Sequence, residues 1–148
     1  MSTAASEPTM EPVNVDELET FSLKSSTTDD AEWVGQFFAY GGKGADKTTV
    51  IYFAMPPGKR LGRHVDTQEE TQLVFSGSGD LLLDEGTRPV RAGDVFVLRE
   101  GVAHDLHNTG TEDLKIIAFF SGPQVEQHWT KEVWEPGDLT VTGTPNRS

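Results

Sequence analysis

The sequence predicts an all-β domain, built as a sandwich or barrel of short strands. Apolar or alternating runs of four to eight residues recur along the chain, rich in β-branched and aromatic residues, and each is closed by a turn signal. The chain has 148 residues, the size of one domain, and shows no internal repeat. The runs cover residues 33–40, 48–55, 71–75, 80–83, 95–98 and 114–120.

Helical patterns are weak by comparison. Residues 16–21 (DELETF) and 124–133 (QVEQHWTKEV) are each long enough for one helical turn. The first twelve residues are small, polar and punctuated by proline, which is typical of a flexible arm. We therefore expect an arm at 1–12, a β-barrel at 13–122 and a C-terminal extension at 123–148 that packs on or near the barrel.

Composition narrows the classes of function. The net charge is −12, which disfavours nucleic-acid binding, and the absence of cysteine excludes disulfides and thiolate metal sites. No apolar run reaches the ~18–20 residues that a membrane span needs. The segment Met1–Met10 lacks the cationic and apolar regions of a secretory signal. These observations predict a cytoplasmic protein without nucleic-acid or membrane partners.

Candidate metal ligands lie in two separate segments. His64 and Asp66 are two residues apart, so on a strand they point to the same face. Glu70 and Gln72 share a face on the following stretch, and His104 lies in a later segment. Imidazole and carboxylate donors suit Fe, Mn, Ni, Cu and Zn. Spacing alone leaves two interpretations open, a metal site and structural histidines. Gln72 is either a pocket residue that orients water or substrate, or a polar wall residue.

Both segments resemble the motifs of the cupin superfamily. The first family motif, G-x5-H-x-H-x(3,4)-E-x6-G, is matched at full spacing by Gly58, His64, Asp66, Glu70 and Gly77, with Asp66 replacing the second histidine. The second motif, G-x5-P-x-G-x2-H-x3-N, is matched by Gly93, Gly101, His104 and Asn108, with Arg99 replacing the proline.

The resemblance implies a single-domain cupin β-barrel, a double-stranded β-helix or jelly roll, with a short C-terminal segment. It also implies one divalent transition metal per chain, Fe, Mn, Zn, Ni or Cu, at the positions of His64, Asp66, Glu70 and His104. Asp66 is shorter than the usual histidine, so direct ligation, ligation through water and no ligation all stay open. Small cupins often pair through N-terminal strands, so the resemblance allows a homodimer.

Three functions follow from this resemblance. The leading one is a metal-dependent dioxygenase-type oxidoreductase acting on a small organic molecule, with Glu70 as a fourth ligand or a base. The second is a non-redox isomerase, cyclase or lyase in which Glu70 or Gln72 assists proton transfer. The third is a non-catalytic small-molecule-binding barrel. A 2-oxoglutarate oxygenase, suggested by Lys115 eleven positions after His104, is disfavoured because only 37 residues separate Asp66 from His104.

The remaining chemically active residues are assigned structural roles. His107 should face away from His104, and Arg60 and Arg63 should be solvated loop charges unless they attract an anionic substrate. The C-terminal group of His128, Trp129 and Trp134 should either pack on the barrel exterior or cap its mouth. The predicted aromatic core consists of Phe37, Tyr52, Phe53, Phe96 and Phe119.

Overall fold

Two antiparallel sheets form a double-stranded β-helix in the computed structural model, which describes residues 11–135 and 138–145. The all-β prediction is confirmed. The strands of this part of the chain are β1 (Phe21–Ser25), β2 (Glu32–Ala39), β3 (Thr48–Met55), β4 (His64–Asp66), β5 (Glu70–Ser76), β6 (Ser78–Leu83), β7 (Gly86–Arg91), β8 (Val95–Leu98), β9 (His104–His107), β10 (Leu114–Ser121), β11 (Glu126–Trp129), β12 (Trp134–Glu135) and β13 (Val141–Gly143).

The order of strands places distant segments side by side. The seven-stranded sheet has the order β12-β1-β2-β3-β10-β5-β8, and the six-stranded sheet has the order β13-β11-β4-β9-β6-β7. The core lies between the inward faces, where side chains such as Val74, Leu106 and Ile116 are fully buried. Strands β4 and β5 are consecutive in the chain but belong to different sheets, so residues near the bend between them face each other across the interior.

Alternation along β10 corrects one core prediction. Phe119 is 45% exposed, whereas its neighbours Ala118 and Phe120 are buried. Successive side chains on a strand point to opposite faces, so only one set of this apolar run can enter the core. Of the other aromatic residues predicted to be core, Phe53 is buried, and Phe37, Tyr52 and Phe96 are partly buried.

The two predicted helical turns have different outcomes. Val15–Glu17 forms a short 3-10 turn, capped by Asn14, whose Oδ1 accepts a hydrogen bond from the Asp16 backbone N–H at 2.9 Å. The segment 124–133 forms strand β11 instead of a helix, because its backbone pairs with β4 on one side and β13 on the other. In the part of the chain that the structure describes, no helix has the length and hydropathy to cross a bilayer.

The C-terminal segment contributes to both sheets. Strand β11 pairs with β4, β12 pairs with β1, and β13 completes the edge of the six-stranded sheet. Trp134 is fully buried and Trp129 is 8% exposed, so both indoles enter the interior. Most of the predicted N-terminal arm, residues 1–10, lies outside the described residues.

Candidate metal centre

The fold brings the four candidate ligands to one interior point. His64 and Asp66 lie on β4, and His104 lies directly opposite His64 on the neighbouring strand β9. Glu70, on β5 of the other sheet, approaches from across the barrel. All four side chains are buried, and the two imidazole centroids are 4.3 Å apart.

Distances within the cluster separate three candidate ligands, His64, Asp66 and His104, from Glu70. One donor atom each from His64, Asp66 and His104 lies within 4.8 Å of the other two. Asp66 stands between the imidazoles, with Oδ1 at 3.5 Å from His64 Nε2 and Oδ2 at 3.4 Å from His104 Nε2. Glu70 is outside this group of three, although its Oε1 is 3.4 Å from His104 Nε2.

Backbone carbonyls set the orientation of both imidazoles. His64 Nδ1 is 2.9 Å from the Gly62 carbonyl oxygen, and His104 Nδ1 is 2.9 Å from the Val102 carbonyl oxygen. In a neutral imidazole, Nδ1–H then donates to the carbonyl and Nε2 keeps its lone pair. Metal-binding histidines are commonly held in this way. Both Nε2 atoms point at the carboxylates.

The buried polar atoms of the cluster fit a divalent cation. Among the described residues, nothing forms a hydrogen bond to either oxygen of Asp66, to Glu70 Oε1 or to His104 Nε2. Burying a carboxylate without a partner is costly in free energy. The described lysines and arginines that form ion pairs, Lys59, Arg60, Arg63 and Arg88, pair with carboxylates outside this cluster. A cation bound by the two imidazoles and Asp66 would satisfy the unpaired atoms of Asp66 and His104, so this donor set fits a borderline transition metal.

The two carboxyls respond to this environment in opposite directions. Burial raises the pKa of Glu70, and the charge of Asp66 raises it further. Burial also opposes ionisation of Asp66, but its contacts with His64 and the charge of His104 hold its pKa below the ordinary value. Burial lowers the pKa of His104, yet the close contact with Glu70 and the negative charges of Glu70 and Asp66 outweigh it and raise the pKa to about 9. Without a metal, the cluster therefore retains a proton on His104.

Gln72 holds the fourth group in place. Its side chain is fully buried, and Nε2 donates to Glu70 Oε2 at 2.8 Å. This contact leaves Oε1 of Glu70 facing the histidine. The amide of Gln72 therefore orients the carboxyl of Glu70. This role differs from the two that the sequence left open, which were orienting water or substrate and forming part of the pocket wall.

A second buried polar cluster lies beside the first. The Arg60 guanidinium contacts Asp30 at 2.9 Å, Asp105 at 2.9 Å and Glu132 at 3.1 Å. Asp105 and Glu132 are buried, so Arg60 is not the solvated loop charge expected from the sequence. No local sequence pattern marks this group, because its members come from four separate segments. Arg63 does behave as expected, in a more exposed pair with Asp84 at 2.7 Å.

The second cluster also supports the loop that orients His64. Asp105 Oδ1 accepts a hydrogen bond from the Gly62 backbone N–H at 2.8 Å, and the Gly62 carbonyl faces His64. Gly62 has φ +109°, and a Cβ there would lie 3.0 Å from the Trp129 ring and 3.1 Å from Glu132 Oε1. Glycine is therefore required at this position for both conformation and space.

A cavity of about 690 Å³ opens onto the cluster. His64, Asp66 and Glu70 line part of it, and aromatic side chains such as Trp33, Phe53 and Trp129 line another part. Trp129 covers His64, with ring centroids 4.4 Å apart. His128, its neighbour on β11, is exposed and lies 3.1 Å from Glu126, and His107 is not part of the ligand group.

The fold and the site together define the class of protein. Residues 51–120 match the family described as the Cupin domain. This segment contains all four candidate ligands, strands β4 to β9, and most of β3 and β10. Residues 51–120 thus form a cupin domain, and the resemblance seen in the two motifs of this segment is confirmed.

Individual relatives extend the comparison. The chain is 36% identical over 66 residues to the oxalate-binding protein of Thermotoga maritima; the match covers 43% of this chain and 54% of that protein, about half its length. The structure resembles the polyketide cyclase RemF from Streptomyces resistomycificus, with a TM-score of 0.64, 19% identity, and coverage of 88% and 89%. It also resembles a cupin sugar phosphate isomerase from Silicibacter pomeroyi, with a TM-score of 0.64, 17% identity, and coverage of 90% and 92%. At these identities, the structural likenesses show the fold alone.

Proposed function

We propose that this cupin is a metal-dependent enzyme that moves a proton on a small organic substrate, as a non-redox isomerase, cyclase or lyase. The observation that carries this proposal is the position of Glu70. Its buried carboxyl adjoins His104 but lies outside the group of His64, Asp66 and His104. Three side chains are thus available as ligands, and one acidic group remains for proton transfer.

The side chains divide the work as follows. His64, Asp66 and His104 would hold the cation, which when bound would polarise a substrate carbonyl or hydroxyl oxygen as a Lewis acid. Glu70 would take a proton from the carbon beside that oxygen on Oε1 and return it elsewhere on the substrate. Gln72 keeps Glu70 Oε2 occupied by a hydrogen bond.

A dioxygenase is the second candidate. Its support is the ligand set itself, because two histidines and one carboxylate form the group used by non-haem Fe(II) oxygenases. In that case, Glu70 would be a fourth ligand or a base beside the substrate. The metal separates the candidates in part, since Mn, Zn or Ni suits the non-redox reaction and Fe suits the oxygenase.

The test pairs two carboxylate substitutions. We expect purified protein to contain about one divalent metal per chain, Glu70→Gln to keep the metal and lose turnover, and Asp66→Asn to lose the metal. Elemental analysis measures the metal content of each protein. Conversion of phenols and diketones under nitrogen measures turnover. Loss of metal from Glu70→Gln would make Glu70 a ligand and contradict the proposed role.

Oxygen dependence decides the reaction class. Turnover under nitrogen supports the non-redox enzyme, whereas product formation that consumes one equivalent of oxygen supports the dioxygenase. Protein that contains no metal and converts none of the candidates contradicts both, and leaves a binding barrel.

A further inference from the structure

We infer that the substrate is an uncharged, multi-ring aromatic molecule that carries a hydroxyl or carbonyl oxygen. This inference deepens the proposed function and rests on it, because it assigns a substrate class to the same metal centre. It is carried by three properties of the cavity, which are its size, its aromatic wall and the sign of its charged groups.

The size of the cavity favours a ligand of several rings over a small one. At about 690 Å³, it falls within the range of pockets that enclose drug-sized molecules. A dicarboxylate of a few atoms would leave most of this apolar space without contacts. Two or more fused rings would fill a much larger share, and burial of their surface would supply most of the binding free energy.

One side of the cavity is lined by a series of neighbouring aromatic rings. Starting from His64, the Trp129 ring lies at 4.4 Å and the Trp33 ring lies 6.3 Å beyond Trp129. Phe21 follows at 5.8 Å from Trp33, and Phe37 at 4.9 Å from Phe21. Such ring faces and edges favour offset-stacked or edge-to-face contacts with a planar ligand. The wall begins at a candidate metal ligand, so a ring packed against it would have its edge near the centre.

The charged groups of the cavity argue against anionic substrates. Among the described residues that line it, none is lysine or arginine, whereas Asp66, Glu70 and Glu126 are acidic. A carboxylate or phosphate away from the metal would lose its hydration without meeting a cation, and would be repelled by these groups. The remaining polar lining consists of amide, hydroxyl and histidine side chains, which suit a neutral ligand with hydroxyl or carbonyl groups.

A matched pair of probes tests this inference. In calorimetric titrations of metal-loaded and chelator-treated protein, 2-naphthol should bind at least about tenfold more tightly than 2-naphthoate, because only the second must bury a charge. Oxalate serves as the small anionic probe. Equal or tighter binding of 2-naphthoate or oxalate in either form of the protein would overturn the inference, and so would the absence of 2-naphthol binding.

A charge placed in the lining provides a second test. Gln124 lines the cavity and is exposed, so substitution there costs little stability. Gln124→Lys should strengthen 2-naphthoate binding by about two- to fivefold at low salt, as expected for an exposed ion pair. Gln124→Glu is the matched control and should weaken 2-naphthoate binding; equal behaviour of the two variants would contradict the electrostatic argument.

Failure of the substrate class and failure of the metal proposal give different results. Binding of 2-naphthol by protein that takes up no metal would support the cavity assignment and contradict the metal-dependent function. Metal uptake without 2-naphthol binding would contradict the substrate class and leave the metal centre in place.

Discussion

Two buried polar clusters lie side by side in this barrel, and they balance their charge differently. In one, the guanidinium of Arg60 contacts the buried carboxylates of Asp105 and Glu132. In the other, the carboxyls of Asp66 and Glu70 face imidazoles, and no arginine or lysine of the described chain pairs with them. One cluster contains its own permanent cation, and the other has donor atoms that could bind a metal ion.

The difference shows that one fold can contain a complete buried ion-pair cluster beside a cluster with unpaired polar atoms. A buried ion pair costs desolvation free energy but, once complete, leaves no site for a ligand. Buried polar atoms without a partner lower the stability of the fold. They persist where binding of a metal or substrate compensates this loss of stability. The contact between the clusters runs through Gly62, which Asp105 holds on one side and His64 contacts on the other. The paired cluster thus supports the geometry of the unpaired one.

Removing the internal cation should have the largest effect. Arg60→Met leaves two buried carboxylates without their partner, so we expect the free energy of unfolding to fall by about 3 kcal/mol. Denaturant titration measures this change. Arg63→Met is the control, with a loss below about 1 kcal/mol, because its ion pair with Asp84 is more exposed.

A rescue variant keeps this prediction testable if Arg60→Met is too unstable to purify. Adding Glu132→Gln removes one of the two buried charges and should recover part of the lost stability. Equal losses from Arg60→Met and Arg63→Met would show that the cluster is not a source of stability.

Removing a donor from the other cluster should act on the metal. His104→Ala should weaken Zn²⁺ binding by more than about 100-fold, the upper end of the effect of losing an outer hydrogen-bond partner of a ligand. His107→Ala, on the same strand but outside the ligand group, should bind as the parent does. Calorimetric titration of metal-free protein gives both constants, and full binding by His104→Ala would refute the ligand assignment.

Changing the pH should shift metal affinity and metal-free stability in opposite directions. Without metal, the pKa of His104 is raised from 6.5 to about 9. Below about pH 9, a cation must therefore displace the proton of His104 in order to bind. Zn²⁺ affinity should therefore fall by about tenfold for each pH unit below about pH 9.

The stability of the metal-free protein should follow the opposite trend. A raised pKa contributes stability that is fully present below the unfolded value of 6.5 and is lost as the pH rises through about 9. Denaturation of chelator-treated protein across this range measures it. Metal affinity that does not change with pH would mean that His104 carries no proton to displace.

Removing the amide that holds Glu70 should have the smallest effect. Gln72→Leu deletes the donor to Glu70 Oε2 in a fully buried position, and should lower the free energy of unfolding by about 1 kcal/mol. Metal content should be unchanged, while turnover falls because the carboxyl loses its orientation. Loss of the metal in this variant would instead assign Glu70 to the ligand set.

The motifs were informative because strand geometry repeats every two residues. His64 and Asp66 share a face by their spacing, and the turn glycines set the length of the strands between the two motifs. Phe119 shows where this reasoning ends. The run in β10 is apolar on both faces, so its pattern cannot show which face enters the barrel, and the pairing of β10 between β3 and β5 decides it.

The C-terminal segment and Arg60 mark a second boundary. Residues 124–133 have no strong local preference, and their strand arises because β11 completes hydrogen bonds along β4. Arg60 looks like an ordinary loop charge until Asp105 and Glu132 are brought to it from 45 and 72 residues away.

By itself, the sequence determined the all-β class, because short runs closed by turns recur along the chain. It also identified the candidate ligands, because two short stretches match the motifs of the cupin family. Only the tertiary structure decided which buried charges have an internal partner and what surrounds the ligands. Burial and charge pairing depend on segments far apart in the chain, which meet only when the two sheets close.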